Sequence, residues 1–307
     1  MATYITRRLL QSLFVIWGVI TAVFIITNLT GDPVDLMLGE TSSQEDIERL
    51  RADLGLDDPL YVQYFRFLGD AVQGDFQESL RFGGFSSMEI VLDRYPRTIA
   101  LAGCALILSV VFSITLGTIA AVRRGGLIDQ GVMLLALFGQ AVPNFWLGIM
   151  LILVFAVNFG WLPSSGYELS WKYFILPTIT LAVAGMARLT RLTRSGMLDV
   201  FSADYIRTAR AKGLEDRSVV MGHAFKNTAI PLVTVIGLDF GNLLAGAIIT
   251  EQIFVWNGVG QLLVDSINAR DFPVVQAAVF IIAASFVLIN LIVDILYTWL
   301  DPRIRLS

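Results

Sequence analysis

The chain has 307 residues, 55% hydrophobic and only 16% charged, with a formal net charge of −4 and a mean hydropathy of +0.69. Average soluble domains carry about 25% charged residues, so this chain lacks the charge to cover a water-facing surface. The acidic balance argues against nucleic-acid binding. One cysteine, Cys104, excludes an intrachain disulfide and any multi-cysteine metal site, and one histidine, His223, excludes metal motifs that need two. This is the composition of an all-α polytopic membrane protein.

A bilayer core of about 30 Å needs roughly 20 apolar residues in a helix, and six stretches fit. They run from Leu9 to Leu29, Ile99 to Val122, Val132 to Phe159, Phe174 to Thr190, Ala229 to Thr250, and Val274 to Leu300. Arg188, Arg191 and Arg194 crowd the end of the fourth. The first reads as an uncleaved anchor: its apolar run exceeds a signal h-region, and Thr30-Gly31-Asp32-Pro33 is no small-x-small cleavage site. With the N-terminus in the cytoplasm, the inner segments hold 14 Lys and Arg residues, while the two short outer loops hold only Lys172 and Arg270. The positive-inside rule therefore predicts both termini inside.

The segment 31–98 then lies outside, between an N-terminal span at 1–30 and a core at 99–307. It carries 14 acidic and 6 basic residues. Ser43-Gln44-Glu45-Asp46 looks like a capping box, with Ile47, Leu50 and Leu54 on one helical face and Gly55 as the stop. Asp58-Pro59 predicts a second helix with proline at its first position, an apolar stripe of Tyr61, Tyr64, Phe65 and Leu68, and an end before Gly74. These two short helices either rest on the outer membrane surface or form a docking platform for an external partner.

No G-x-x-x-x-G-K-[ST], H-E-x-x-H or G-x-S-x-G pattern occurs, and no repeat of 20–50 residues is visible. The chain is expected to have no catalytic site and no metal site. Polar residues inside the membrane are costly and are functional candidates. Asp239 and Asn242 share a face of the fifth span. They either line a path or bond to a neighbouring chain or to water. Asp294, with Asn290 a turn earlier, reads as a structural pair with a basic neighbour. The spacing Gly237, Gly241 and Ala245 gives the fifth span a small-residue stripe suited to close helix packing, as against a neighbouring chain.

The loop 188–228 is far longer than a reversal between two helices needs. Ser202 can cap a short basic helix over 203–212 and Gly213 can end it, with Arg210 and Lys212 in the last turn. Composition alone leaves a solvated loop on anionic headgroups open. The run Asp204-Tyr205-Ile206-Arg207-Thr208-Ala209-Arg210-Ala211-Lys212-Gly213-Leu214, followed by His223-Ala224 and Ile230-Pro231, resembles the coupling-loop signature of ABC importer permeases. The form is that of the dipeptide/oligopeptide/nickel permease family, on the side related to the "B" permeases. Arg7-Arg8-Leu9, Gly31-Asp32-Pro33, Pro143-Asn144-Phe145-Trp146-Leu147-Gly148, Pro163-Ser164-Ser165-Gly166, Glu251-Gln252-Ile253-Phe254 and Leu300-Asp301-Pro302-Arg303 resemble the family in the expected order. Trp256-Asn257-Gly258 departs from it, since proline commonly precedes that glycine. Arg207 and Thr208 stand where the more general importer motif has Glu and Ala.

The resemblance implies a type I ABC importer permease with six transmembrane helices, in a bacterial or archaeal plasma membrane. Its partners would be a second, homologous permease in a heterodimer, two P-loop ATPase subunits, an extracytoplasmic substrate-binding protein and the lipid bilayer. No cofactor is expected on this chain, with ATP and Mg on the ATPases. The segment Asp204–Leu214 would be the ATPase-coupling helix, with Ala209, Ala211 and Gly213 permitting close approach. Tyr205 and Ile206 would be its apolar anchors, and Arg207, Arg210 and Lys212 its charge complement. Asn144, Phe145, Asp239, Asn242, Glu251 and Gln252 would line the translocation path or its gate. Peptides are the implied cargo, with nickel chelates, glutathione or oligosaccharides as alternatives. A self-sufficient secondary transporter and a non-transporting scaffold are the readings from other classes.

Overall fold

The structure is a computed structural model that describes residues 2–30, 45, 48, 51–52, 57–168 and 170–300. The first outer helix expected around Ser43–Gly55 lies outside the described residues except for Glu45, Glu48, Arg51 and Ala52, which are helical, and the terminal Asp301–Arg305 lies wholly outside them. Of the described residues, 83% are helical. This suits apolar runs of such length, because in hydrocarbon a helix satisfies its backbone polar groups within one segment.

The helices are α1 (Ala2–Thr30), α2 (Leu60–Gln73), α3 (Ser87–Val122), α4 (Leu127–Ala141), α5 (Asn144–Leu151), α6 (Trp171–Phe201), α7 (Asp204–Ala211), α8 (Lys226–Phe254), α9 (Val259–Asn268) and α10 (Phe272–Leu300). Five of them, α1, α3, α6, α8 and α10, are long and apolar enough to cross a membrane. The expected single span over Val132–Phe159 is instead α4 and α5, bent by 104°. Pro143 causes the break. Its ring drives the preceding residue out of the α region, and Val142 adopts φ −77°, ψ 125°. Proline also has no N–H to continue the ladder. Beyond the bend, α5 passes into a π-helical turn at Ile152–Asn158, and counting the bent pair as one crossing gives six.

Two other helices outrun their apolar stretches. α3 has 36 residues, about 54 Å at 1.5 Å per residue, and begins well before Ile99. α6 continues past Thr190 to Phe201 and carries Arg188, Arg191 and Arg194 inside it.

The chain divides into two compact units. One contains Ile99–Trp256 and the chain from Ile289 onward. Its core joins Leu101, Ala102 and Ala105 of α3, Leu181 and Ala182 of α6, Leu243, Leu244 and Ala247 of α8, and Trp256. Trp256 is fully buried, with edge-to-face contacts at 4.5 Å to Phe174 and 5.0 Å to Tyr167. Helices touch closely where side chains are small. A Cβ added at Gly117 would lie 2.6 Å from Thr193 Cβ and 2.7 Å from the Thr190 carbonyl oxygen, so α3 and α6 meet there in backbone contact. Gly237 is used within the subunit: a Cβ there would overlap Val293 of α10, while Ala245 is exposed. The stripe expected to meet another permease is therefore occupied at Gly237 by the chain's own last helix.

The second unit contains Ala2–Thr98 and Asn257–Leu288. Pro59 proves to be the residue before α2, and Gly74 closes the helix in the left-handed region at φ 76°. The stripe expected on α2 is rotated. Phe24 of α1 packs on Tyr64 and Phe67 at 5.3 and 5.5 Å and Ala71 is buried, while Tyr61 and Phe65 are exposed. The buried Asp271 carboxylate accepts from Ser79 Oγ at 2.5 Å and from the N–H groups of Leu80 and Arg81 at 3.2 and 3.3 Å, tying the 79–81 loop to the start of α10. Asn257 has φ 58°, a value closed to the proline common in the family. Its side-chain oxygen accepts from Arg94, and its carbonyl accepts from Arg97 at 3.2 Å.

Gly117→Ala is expected to destabilise the detergent-solubilised protein by about 1–3 kcal/mol through overpacking, read as a lowered thermal midpoint. Gly103→Ala on the same helix, with nothing within 4 Å of the added methyl, is the control and should leave the midpoint unchanged.

Candidate functional site

The short basic helix expected at 203–212 is present as α7. Ser202 does not cap it: its hydroxyl donates to the Asp199 carbonyl at 2.7 Å and finishes α6. Ala203 is the residue before α7, without a side-chain cap. Gly213 ends the segment at φ 78°, its N–H donating to Arg210 O at 2.9 Å. A left-handed residue after a helix is the role glycine fills without strain.

α7 stands on a buried foot. Ile206 is 0% and Ala209 7% exposed, clustered with Ala121 at the end of α3, Met197 of α6, and Val219 and Ala224 of the π-helical turn Val219–Phe225 that leads into α8. Gly196 and Thr228 bring α6 and α8 together beside it, with Thr228 Oγ1 donating to Met197 Sδ at 3.5 Å. Ile206 and Ala209 are therefore spent inside the subunit, which corrects the expectation that they face another protein. The exposed residues are Asp204, Tyr205, Arg207, Thr208, Arg210, Ala211, Lys212, Gly213 and Leu214. Their ion pairs, Arg207–Asp204 at 3.6 Å and Arg210–Asp216 at 3.9 Å, are water-exposed and add little stability. His223 is exposed, and its carbonyl accepts from Asn227.

A second constellation lies among α3, α5, α6 and α8. A cavity of about 110 Å³ is lined by Ser109, Asn144, Gly185, Arg188, Asp239 and Asn242, with Leu106, Leu181, Ala184, Leu243 and Gly246 completing its wall. Three residues expected on a path, Asn144, Asp239 and Asn242, thus share one space. Asn144 reaches it because the Pro143 break starts a new helix there. Phe145 points elsewhere and is 53% exposed. Glu251 and Gln252 lie about 18 Å further along α8 at 1.5 Å per residue. Glu251 is fully buried and Gln252 exposed.

Sequence reasoning missed Arg188, Ser109 and Gly185. Arg188 was assigned to the loop, yet its guanidinium donates to Asp239 Oδ1 at 2.5 Å, so Asp239 has a basic partner. Both sit at the same depth on neighbouring helices, a signal that appears only once the two spans are aligned. Asp239 Oδ2 makes no hydrogen bond of good geometry, and the Asn242 side chain engages it loosely. On the far side of α6, Asp129 takes Arg194 with both oxygens, at 2.5 and 2.7 Å, and also accepts the Gly125 N–H at 2.9 Å.

This arrangement of long apolar helices, one broken crossing and a short helix on a buried foot defines a polytopic α-helical membrane protein. The family model described as "Binding-protein-dependent transport system inner membrane component" matches residues 113–306, and its N-terminal companion matches residues 1–102. The chain is 43% identical over 315 residues to the oligopeptide transport system permease protein AppB of Bacillus subtilis, covering 99% of this chain and 100% of that one. It is also 43% identical over 306 residues to the glutathione transport system permease protein GsiC of Escherichia coli K12, covering 99% of each. Among solved structures, an inward-facing MetNI methionine ABC transporter superposes with a TM-score of 0.57 at 16% identity, over 70% of this chain and 97% of that one. The chain therefore belongs to the binding-protein-dependent transport system inner membrane component family, and is a permease subunit of an ABC importer with type I architecture. It is a multi-pass inner-membrane protein of a family that transports and does not catalyse, working with ATPase and binding-protein components. The secondary-transporter and scaffold readings fall with that assignment.

Ile206→Ala is expected to loosen α7 from its foot, at a cost of about 2–5 kcal/mol for a fully buried isoleucine. Hydrogen exchange should rise across 203–214 before the membrane helices are affected.

Proposed function

We propose that this subunit forms half of a peptide translocation path and is driven through α7. The carrying observation is the foot of α7, where Ile206 and Ala209 are packed among residues of α3, α6 and the turn into α8. Displacement of α7 is thereby passed to three membrane helices as a rigid-body movement, the kind of bistable change alternating access requires. The exposed row Tyr205, Thr208, Ala211, Lys212 and Leu214 is the face an ATPase subunit would grip, with Arg207 and Arg210 supplying positive charge. Hydrolysis of ATP with Mg belongs to two P-loop partner chains, and a second homologous permease completes the path.

Peptide cargo is supported by the oligopeptide and glutathione permeases being equally similar over nearly the whole chain, glutathione itself being a tripeptide. The excess of basic residues in the segments carrying α7 supports a cytoplasmic position for that helix and for both termini. Segment 31–98 then faces the binding protein.

The double variant Tyr205→Ala/Ala211→Glu leaves the foot intact. It should insert normally while co-purifying ATPase falls at least about tenfold, the loss of roughly 1.4 kcal/mol or more of contact energy. Full ATPase recovery and normal uptake would sink the coupling role. For orientation, Lys212→Cys in a Cys104→Ser background should react with an impermeant maleimide only from the cytoplasmic face; labelling from outside would reverse the topology.

A further inference from the structure

Two ion pairs join α6 to its neighbours, and they are built differently. Arg194 and Asp129 meet two-toothed, and a backbone N–H caps the carboxylate as well. That is a closed pair with its acceptors in use. Arg188 and Asp239 meet through one oxygen, with Asp239 only 3% exposed, its Oδ2 unsatisfied and a cavity against it. A buried carboxylate oxygen without a donor is costly, more so in a membrane-spanning helix. The Arg188 side chain is 49% exposed, leaving donors of its five-N–H fork free of Asp239.

We propose that this cavity is a transit site for the free terminus of a peptide, in which the α-ammonium group docks on Asp239 Oδ2. The inference rests on the peptide reading above and adds to it the part of the cargo that is recognised. The space is right for such a group. At about 110 Å³ it holds several water-sized groups, room for an ammonium and the atoms beside it and not for a folded chain. Asn144 and Asn242 offer neutral amides that match a peptide backbone, Ser109 Oγ can accept while its proton goes to the Ala182 carbonyl at 2.9 Å, and Gly185 keeps the floor open. A Cβ there would stand 3.7 Å from both Asp239 Oδ2 and Ser109 Oγ. Arg188 holds the carboxylate oriented and offers its free donors to the cargo's own carboxylate or carbonyl groups. The ammonium supplies a strong charged donor to Oδ2, which the Asn242 side chain engages only loosely.

The test uses the complete importer, with its partner permease, ATPases and binding protein, in proteoliposomes, and measures ATP-driven uptake of labelled trialanine per assembled complex. Asp239→Asn should cut uptake at least about tenfold, the value of one charge-assisted hydrogen bond. Arg188→Gln/Asp239→Asn, which removes both charges, should stay equally low. Gly185→Ala keeps both charges and makes only ordinary contacts, and should lower uptake about threefold or more by filling the floor. Recovery of near wild-type uptake in the double variant would reveal a merely structural pair and overturn the proposal. So would uptake within about twofold of wild type in Asp239→Asn, with peptide transport itself intact. Where Asp239→Asn fails to assemble, Gly185→Ala decides: unchanged uptake overturns the site. A wild-type complex that imports no di-, tri- or oligopeptide would remove the peptide reading and this inference together.

Discussion

The packing of the 99–256 unit depends on how one membrane helix disposes of three positive charges. α6 carries Arg188, Arg191 and Arg194 in its own length, and a charge near hydrocarbon persists only where a partner neutralises it. Two find a carboxylate on another helix, Arg188 on Asp239 of α8 and Arg194 on Asp129 of α4, while the exposed Arg191 donates to the neutral Gln140 side chain of α4 at 2.7 Å. These contacts fix the rotation of α6 about its axis and hold α4 and α8 to it. The apolar and small-residue contacts, Gly117 on Thr193 and Leu181 among Leu101 and Leu244, then follow. Half of the most apolar window of α6 is buried within the chain, against 11–33% for the other long helices. The helix with the most charge is thus the one most enclosed.

That enclosure gives α6 a mechanical role. With 31 residues it is about 46 Å long. Gly185 and Arg188 stand in the wall of the cavity, and Met197, about two and a half turns on, stands in the foot of α7. One stiff element therefore connects the place where cargo would sit with the place where an ATPase would push. α8 makes the same connection from Asp239 back to the turn containing Ala224. No chain of small side-chain adjustments is needed between the two sites, because two packed helices carry both.

The residues differ in how openly they announced these roles. The apolar stretches were visible because each must supply about 20 residues of hydrocarbon-compatible surface, and the α7 segment because its glycine stop and charge pattern are local. Pro143 lay in plain view inside an apolar run, but composition there reads the same whether a span is straight or bent. The inward face of α7 was misassigned at Ile206 and Ala209, and the stripe of α2 at Tyr61 and Phe65. On a short helix the neighbours choose the buried face, and those neighbours are Met197 and Val219 in one case and Phe24 in the other. Asp239 was recognised as costly in isolation. Its partner was not, because Arg188 lies 51 positions away and had been counted with the loop.

Local chemistry alone thus decided which segments enter the bilayer, where a short basic helix interrupts them, and which family pattern the chain carries. Those properties depend on hydrophobic length, turn residues and residue order. Tertiary structure decided which polar groups meet. The break at Pro143 brings Asn144 to Asp239, the rotation of α6 aims Arg188 at one carboxylate oxygen and leaves the other open, and Ile206 and Ala209 anchor the short helix to its own subunit. Each of these needs helices from distant parts of the chain to be set at particular depths and rotations, and that setting comes from satisfying buried charge and filling space across the whole unit.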